Sequence, residues 1–225
     1  MLSPSRRLSV WLIPPEPAYS RLAEVQRELI ARHPCDDRDL PSFPPHVTLI
    51  GGVPITDCAG ADDVPADASG DEAHEAAARA VLRRVEGGLR SARRGGIRCV
   101  FERGRGIVAA RTFVDVDDAE GAVKWNQSCV AVLKRDPSFV DAMETVDAAL
   151  YAMADGDRPP AERHFRPPLG EPHYSFVYGN DPSLIPETLG FPDDFVCHEV
   201  SLWWTHPPTL EGVSQWREVG TIKLG

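Results

Sequence analysis

The chain has no excess of basic residues. Its 34 Asp and Glu stand against 24 Lys and Arg, a net charge of −10 over 225 residues. Binding nucleic acid through its phosphates requires a basic surface, so no stable nucleic-acid complex is expected. A small phosphorylated substrate in a local site remains compatible with that charge. Long apolar runs are also missing. The run Leu8 to Ile13 follows Arg6-Arg7 but stops at Pro14-Pro15, too short for a secretory signal or a membrane span. The expectation is a cytoplasmic or nuclear protein that does not associate with membranes. Cysteine is sparse and unpatterned: Cys35, Cys58, Cys99, Cys129 and Cys197 form no C-x-x-C. That reads as reduced thiols, not a disulfide framework or a zinc site. His33, Cys35, Asp36, Asp37 and Asp39 share one loop, but no second ligand cluster supports them, so no metal is expected. The glycines of Arg103-Gly104-Arg105-Gly106 fit a turn and match neither a Walker loop nor a dinucleotide fingerprint. A nucleophile elbow and a catalytic-cysteine signature are missing too.

What the chain does have is one short pattern written twice. The first copy is Pro45-His46-Val47-Thr48-Leu49-Ile50 and the second is Pro172-His173-Tyr174-Ser175-Phe176-Val177. Both read Pro, His, any residue, a hydroxyl residue, then two apolar residues. Alternation of this kind is that of a half-buried strand, which sets His and Thr or Ser on one face. Seven histidines should give roughly one His-x-Ser/Thr by chance. The other five histidines lack it, and both copies share the flanking Pro and the apolar pair. A single copy would be read as a strand-edge histidine with a solvated hydroxyl; two in matching context point to a site.

The rest of the chain reads as α+β with antiparallel pairing. A strand over 8–13 is followed by a helix over 18–33, then the first motif strand, ending at Gly51-Gly52. Residues 56–72 are rich in Asp, Ala and Gly and read as a mobile acidic insertion, not a domain linker. A helix over 71–93 would bury Ala76, Ala80, Val81, Val85 and Leu89. A hairpin from Ile97 to Val116 follows, then helices over 119–134 and 138–153. Arg158, Arg163 and Arg166 precede the second motif strand; they would attract an anion or simply line a solvated loop. A short helix over 182–189, a strand over 195–204 and a closing strand over 216–224 complete one domain, 1–225. Trp203 and Trp204 fall on opposite faces of their strand, one for the core and one for a cleft. Trp11 and Tyr174 are core candidates, with stacking on a base as the alternative. Nothing in the sequence sets the oligomeric state.

Two imidazoles near neutral pH suit a reaction in which one group takes a proton and another gives one. On either side of a phosphate, one imidazole would activate water and the other would protonate the leaving oxygen. Thr48 and Ser175 would donate hydrogen bonds to the non-bridging oxygens. No cofactor is needed. The two Pro-His-x-Ser/Thr motifs resemble those of the 2H phosphoesterase superfamily. The chain is similar, more closely, to the cyclic nucleotide phosphodiesterases of plants and fungi. The likeness covers Leu8-Ser9-Val10-Trp11-Leu12-Ile13-Pro14-Pro15-Glu16, both motifs, and Ser214-Gln215-Trp216-Arg217-Glu218-Val219. The stretches 53–96 and 136–170 are longer and more acidic than the resemblance leads one to expect.

The resemblance implies a bilobal fold, two antiparallel sheets facing a central cleft with helices outside. It implies hydrolysis of 2′,3′-cyclic nucleotides to 2′-phosphates and of ADP-ribose 1″,2″-cyclic phosphate, a by-product of tRNA splicing. It places His46 and His173 as catalytic residues and Thr48 and Ser175 as phosphate-binding residues, with His173 as base and His46 as acid. The partner is then a small cyclic phosphate nucleotide. Two other readings stand beside this one. An RNA-end or 2′,5′-oligonucleotide phosphodiesterase of the same fold is disfavoured by the acidic charge. A non-catalytic nucleotide-binding module would have no need of both histidines.

Overall fold

A computed structural model of the chain describes residues 2–3, 6–31, 42–92, 96–103, 107–108, 112–114, 123–151, 172–178, 193–207 and 211–225. Ten strands and four α-helices lie among the described residues: β1 (Arg7–Ile13), α1 (Ala18–Ala31), β2 (Val47–Pro54), α2 (Ile55–Cys58), α3 (Gly70–Ala92), β3 (Ile97–Cys99), β4 (Ile107–Val108), β5 (Thr112–Val114), β6 (Val123–Val132), α4 (Pro137–Leu150), β7 (His173–Tyr178), β8 (Phe195–Cys197), β9 (Glu199–Trp204) and β10 (Arg217–Lys223). The fold is α+β, and its named strand pairs are antiparallel.

One sheet carries most of the strands in the order β10-β9-β1-β2-β7-β6-β4, with β5 also on β6. It consists of two half-sheets that meet at the motif strands: among the described residues β2 and β7 pair at Val47 and Tyr174. Each motif strand has its main partner on its outer side. In the first half β1 sets Trp11 opposite Thr48 and Leu12 opposite Val47. In the second, β6 sets Val130 opposite Ser175 and Ala131 opposite Tyr174. Strand, helix, antiparallel motif strand therefore occurs twice, as β1-α1-β2 and as β6-α4-β7. An approximate two-fold axis passes through the Val47–Tyr174 pair. The helices cross over: α1 packs on β7, and α4 packs on β2.

The period of two divides the sheet chemically. Leu8, Val10 and Leu12 of β1 and Val200, Leu202 and Trp204 of β9 point to the back, into the main hydrophobic core. There they meet the helices: Leu22 and Leu29 of α1, Ala77, Val81, Val85 and Leu89 of α3, Phe139, Val146 and Leu150 of α4. The expected inner face of α3 is found, except that Ala76 is only half-buried. α4 begins where its sequence says it should. Asp136 accepts a hydrogen bond from the Ser138 amide at 2.9 Å, and Pro137 occupies the first turn. The acidic stretch after β2 folds into α2 and a short 3-10 turn at Ala61–Asp63. Arg84 of α3 donates to both Asp63 carboxylate oxygens, at 2.8 and 2.7 Å, and also to the Cys58 carbonyl.

Three sequence expectations are corrected. The helix expected over 119–134 is instead β6, the strand on which β7 depends. Its run of Val, Trp and Cys suits a strand, and the pairing that selects it lies far along the chain. The hairpin expected from 97 to 116 does not form: β3 pairs with β8, while β4 and β5 pair with β6. The single strand expected over 195–204 is two, broken at His198, with β8 in the small sheet and β9 in the large one. The loop at 33–39, the glycines of the 103–106 turn, Arg158, Arg163, Arg166 and the helix at 182–189 lie outside the described residues. No described helix is long and apolar enough to cross a membrane.

Tyr174 belongs to the back face. It is fully buried, edge-on to Phe176, and its hydroxyl finds no hydrogen-bond partner among the described residues. Burial pushes its phenol well above the ordinary range, so it stays protonated. An unsatisfied buried hydroxyl costs about 1–3 kcal/mol. Tyr174→Phe should therefore hold or raise stability, by up to about 1 kcal/mol in urea unfolding. A loss of that size would mean the hydroxyl is satisfied in solution.

Candidate active site

Every motif residue is positioned by the Val47–Tyr174 pair. Stepping one residue outward along antiparallel strands sets His46 against Ser175 and Thr48 against His173. Residues directly opposite have Cβ atoms roughly 4.5–5.5 Å apart. All four therefore lie on the front of the sheet, in two cross-strand pairs related by the two-fold axis. The structure brings together all four residues that the sequence singled out. Val47 and Tyr174, the intervening residues, turn to the core.

The strand past Thr48 is irregular. β1 pairs Trp11 with Thr48 but Val10 with Ile50, so one extra residue is accommodated in β2. A bulge of this kind re-aims neighbouring side chains. Gly51 lies beside it, and a Cβ there would come within 3.1 Å of the Thr48 methyl. Gly52 has φ +71, a conformation that favours glycine.

The two histidines differ in their surroundings. His46 is 1% exposed, and His173 is half-buried. The His46 ring lies flat on Trp11, with centroids 3.6 Å apart and planes 9° apart. Phe43 meets its edge at 5.6 Å. At the position equivalent to Trp11, the second half has Val130. His46 Nδ1 lies 2.7 Å from the Pro44 carbonyl. A carbonyl only accepts, so Nδ1 carries the proton and Nε2 keeps its lone pair. Burial pushes the His46 imidazole down to about 3; the Pro44 carbonyl opposes this, and repulsion from His173 adds to it. That repulsion is the electrostatic mark of two neighbouring imidazoles. His46 is neutral at pH 7.

Around Trp11 stands an aromatic group that the motifs did not announce. Trp203 of β9 stacks on it at 4.5 Å and 21°. Trp216 lies tilted at 6.0 Å. Phe43 stacks on Tyr178 at 4.2 Å, and Tyr178 meets Trp216 at 6.0 Å. Trp11 is buried like a core residue, yet it forms the floor under His46. The alternation Ser9-Val10-Trp11-Leu12 carries the signal, since it separates Trp11 from the aliphatic face. Trp203 and Trp204 do fall on opposite faces of their strand: Trp204 is in the core, and Trp203 is half-buried on the front. Among the described residues no group of three or more His, Cys, Asp or Glu could hold a metal ion.

This arrangement offers a lone pair on a buried imidazole, a second and more accessible imidazole, and two hydroxyls between them. It can bind one tetrahedral anion and move protons on either side of it. No curated protein matches the chain. Among solved structures it is similar to LigT of E. coli complexed with 3′-AMP, at 13% identity and TM-score 0.49, covering 99% of each chain. It is also similar to TT0787 of Thermus thermophilus, at 14% identity and TM-score 0.48, covering 97% of each chain. Apo LigT of E. coli is matched at 15% identity and TM-score 0.42, covering 90% of this chain and 88% of that one. The model of the family described as cyclic phosphodiesterase-like protein matches residues 7–187, a span holding both histidine motifs and the strands that align them. On that match the chain belongs to the cyclic phosphodiesterase-like family of 2H phosphoesterases.

Proposed function

We propose that the protein is a metal-independent cyclic phosphodiesterase that opens 2′,3′-cyclic nucleotides to 2′-phosphates. ADP-ribose 1″,2″-cyclic phosphate is its second substrate. The observation that carries this reading is the Val47–Tyr174 pairing, which sets two imidazoles and two hydroxyls on one face. Thr48 and Ser175 donate to the non-bridging phosphate oxygens, where charge builds in the transition state. Water attacks phosphorus and gives its proton to one imidazole. The bond from phosphorus to O3′ breaks, and the other imidazole supplies the proton that O3′ takes. Each imidazole ends with the opposite charge and is reset by exchange with solvent.

The surroundings of His46 favour it as the base, the reverse of the division taken from the resemblance. Its Nδ1 proton is held by Pro44, and burial keeps Nε2 unprotonated and ready to accept. His173, the more exposed ring, then acts as the acid. The proton that His46 gains is stabilised by the Pro44 carbonyl through Nδ1.

Turnover of 2′,3′-cyclic AMP in excess EDTA, with product isomers separated, tests the function. The expected product is 2′-AMP, at the same rate with and without chelator. Release of 3′-AMP would reverse the bond polarity, and a rate abolished by EDTA would end the metal-free reading. No turnover by a folded protein, with ADP-ribose 1″,2″-cyclic phosphate and 2′,5′-linked oligonucleotides also inert, would leave a nucleotide-binding module.

A further inference from the structure

Both motif strands break register at the same point. In the first, Trp11 pairs with Thr48 and Val10 with Ile50, which makes Leu49 the extra residue. In the second, Val130 pairs with Ser175 and Cys129 with Val177, which makes Phe176 the extra residue. A bulge thus follows the hydroxyl residue of each motif directly. A bulge bends its strand and re-aims the side chains beside it. Two of them in matching places belong to the site and are not accidents of pairing.

The first half adds a second extra residue. Leu8 pairs with Val53, so Ser9 alone stands opposite Gly51 and Gly52. Side chains of β1 hold Gly52 there. Its N–H donates to Ser9 Oγ at 3.0 Å, and its carbonyl accepts from the Arg7 guanidinium at 2.9 Å. Ser9 Oγ also lies 2.8 Å from Thr205 Oγ1. Thr205, the residue after β9, is itself tied to β1, its amide donating to the Arg7 carbonyl at 3.0 Å. Both hydroxyls are buried. Burying a hydroxyl is unfavourable unless it is bonded, and for packing alone an alanine would serve at position 9.

Thr48 senses this clamp through Gly51. A Cβ on Gly51 would lie 3.1 Å from the Thr48 methyl and 3.7 Å from Ser9 Oγ. The methyl therefore sits over the face of Gly51 that has no side chain. A β-branched side chain has few open χ1 wells, so the seat of the methyl decides where the hydroxyl points. Ser9 holds Gly52, Gly52 carries Gly51, and Gly51 seats the methyl.

Resting on the cyclic phosphodiesterase reading, we propose that Ser9 is a positioning residue: its hydroxyl pins the β2 bulge so that Thr48 aims its own hydroxyl at a non-bridging phosphate oxygen.

A double-mutant cycle on 2′,3′-cyclic AMP tests it. Thr48→Ala should lower kcat by about 10²–10³-fold, the effect of losing one donor to the transition-state charge. Ser9→Ala should lower kcat by about 10–100-fold through misplacement of that donor, with KM within about 3-fold of wild type. Ser9→Thr, which keeps the hydroxyl, should recover most of the loss. In the Thr48→Ala background, Ser9→Ala should change kcat by less than about 3-fold, because the group it aims is already gone. The pH profile of Ser9→Ala should keep the wild-type shape. Additive losses, or a shifted pH profile, would overturn the proposal and make Ser9 a prop for Trp11 and His46. A wild-type kcat in folded Ser9→Ala would overturn it too. A second route leaves Ser9 in place. Gly51→Ala should lower kcat by pressing on the Thr48 methyl, and adding Thr48→Ser, which removes the methyl and keeps the hydroxyl, should restore it. Failure of that rescue would break the link from the bulge to Thr48 and with it the proposal. If wild type turns over no cyclic phosphate, the enzymatic reading fails, and calorimetric titration with inorganic phosphate carries the same cycle. Ser9→Ala should then weaken phosphate binding only where Thr48 is present; equal weakening in both backgrounds would overturn the positioning role.

Discussion

Either His46→Ala or His173→Ala should lower kcat/KM for 2′,3′-cyclic AMP by about 10²–10⁴-fold, the range set by one positioned acid or base. The double variant should lose little more than the worse single one, since acid and base act in one step. His46→Ala also empties the space on Trp11 and leaves the Pro44 carbonyl without its donor. His46→Asn is the gentler companion, and circular dichroism shows whether either variant keeps its fold. An activity within a few-fold of wild type in a folded variant would remove that histidine from the chemistry. The pH dependence then separates the roles. With His46 as base, it is already neutral between pH 7 and 5, because its imidazole is held down to about 3. Acidification over that window should leave kcat/KM level or nearly so. With His46 as acid, its protonated fraction would grow about tenfold per pH unit across the same window, and kcat/KM would rise with it.

The second large effect is on stability in acid. An unfolded histidine titrates near 6.5, whereas His46 in the fold does so at about 3. Between those values the unfolded chain binds a proton that the folded chain refuses. Stability is therefore intact above pH 6.5 and is lost as pH falls toward 3. The slope approaches about 1.4 kcal/mol per pH unit, so roughly 3 kcal/mol is lost by pH 4.5. Urea unfolding at pH 7.0 and 4.5 measures it. His46→Asn is less stable at pH 7 but has no proton to take up there, and its stability should fall by about 3 kcal/mol less over the same interval. Parallel losses in the two proteins would show that His46 is not the group responsible.

The parts of the fold legible in the sequence are those whose partners are near in the chain or whose pattern is strong. β1, α1, α3, α4 and β10 are found within a few residues of where periodicity puts them. The motif strands are legible because the pattern occurs twice. β6 is not legible, because its pairing with β7 lies across α4 and a long connection. The β3–β8 pair escapes for the same reason: Cys99 and Cys197, with sulfurs 3.9 Å apart, are separated by 98 residues. In the site, His46, Thr48, His173 and Ser175 can be read from the chain. The alternation of β1 sets Trp11 apart from the aliphatic face, but its place under His46 cannot be read, because it follows from a cross-strand register, Trp11 opposite Thr48. The Pro44 carbonyl is likewise a matter of backbone direction, which the pair Pro44-Pro45 only hints at.

The crossing of α1 and α4 gives the chain the form of an internal domain swap. Two separate copies of a strand-helix-strand unit could cover each other's motif strands only by exchanging helices, as swapped dimers do. Here the exchange happens within one molecule, with α1 on β7 and α4 on β2. Parting the halves would strip both helices from their strands at once and break the Val47–Tyr174 pair as well. The four motif residues therefore sit at the seam where the two halves meet and where each half holds the other's helix.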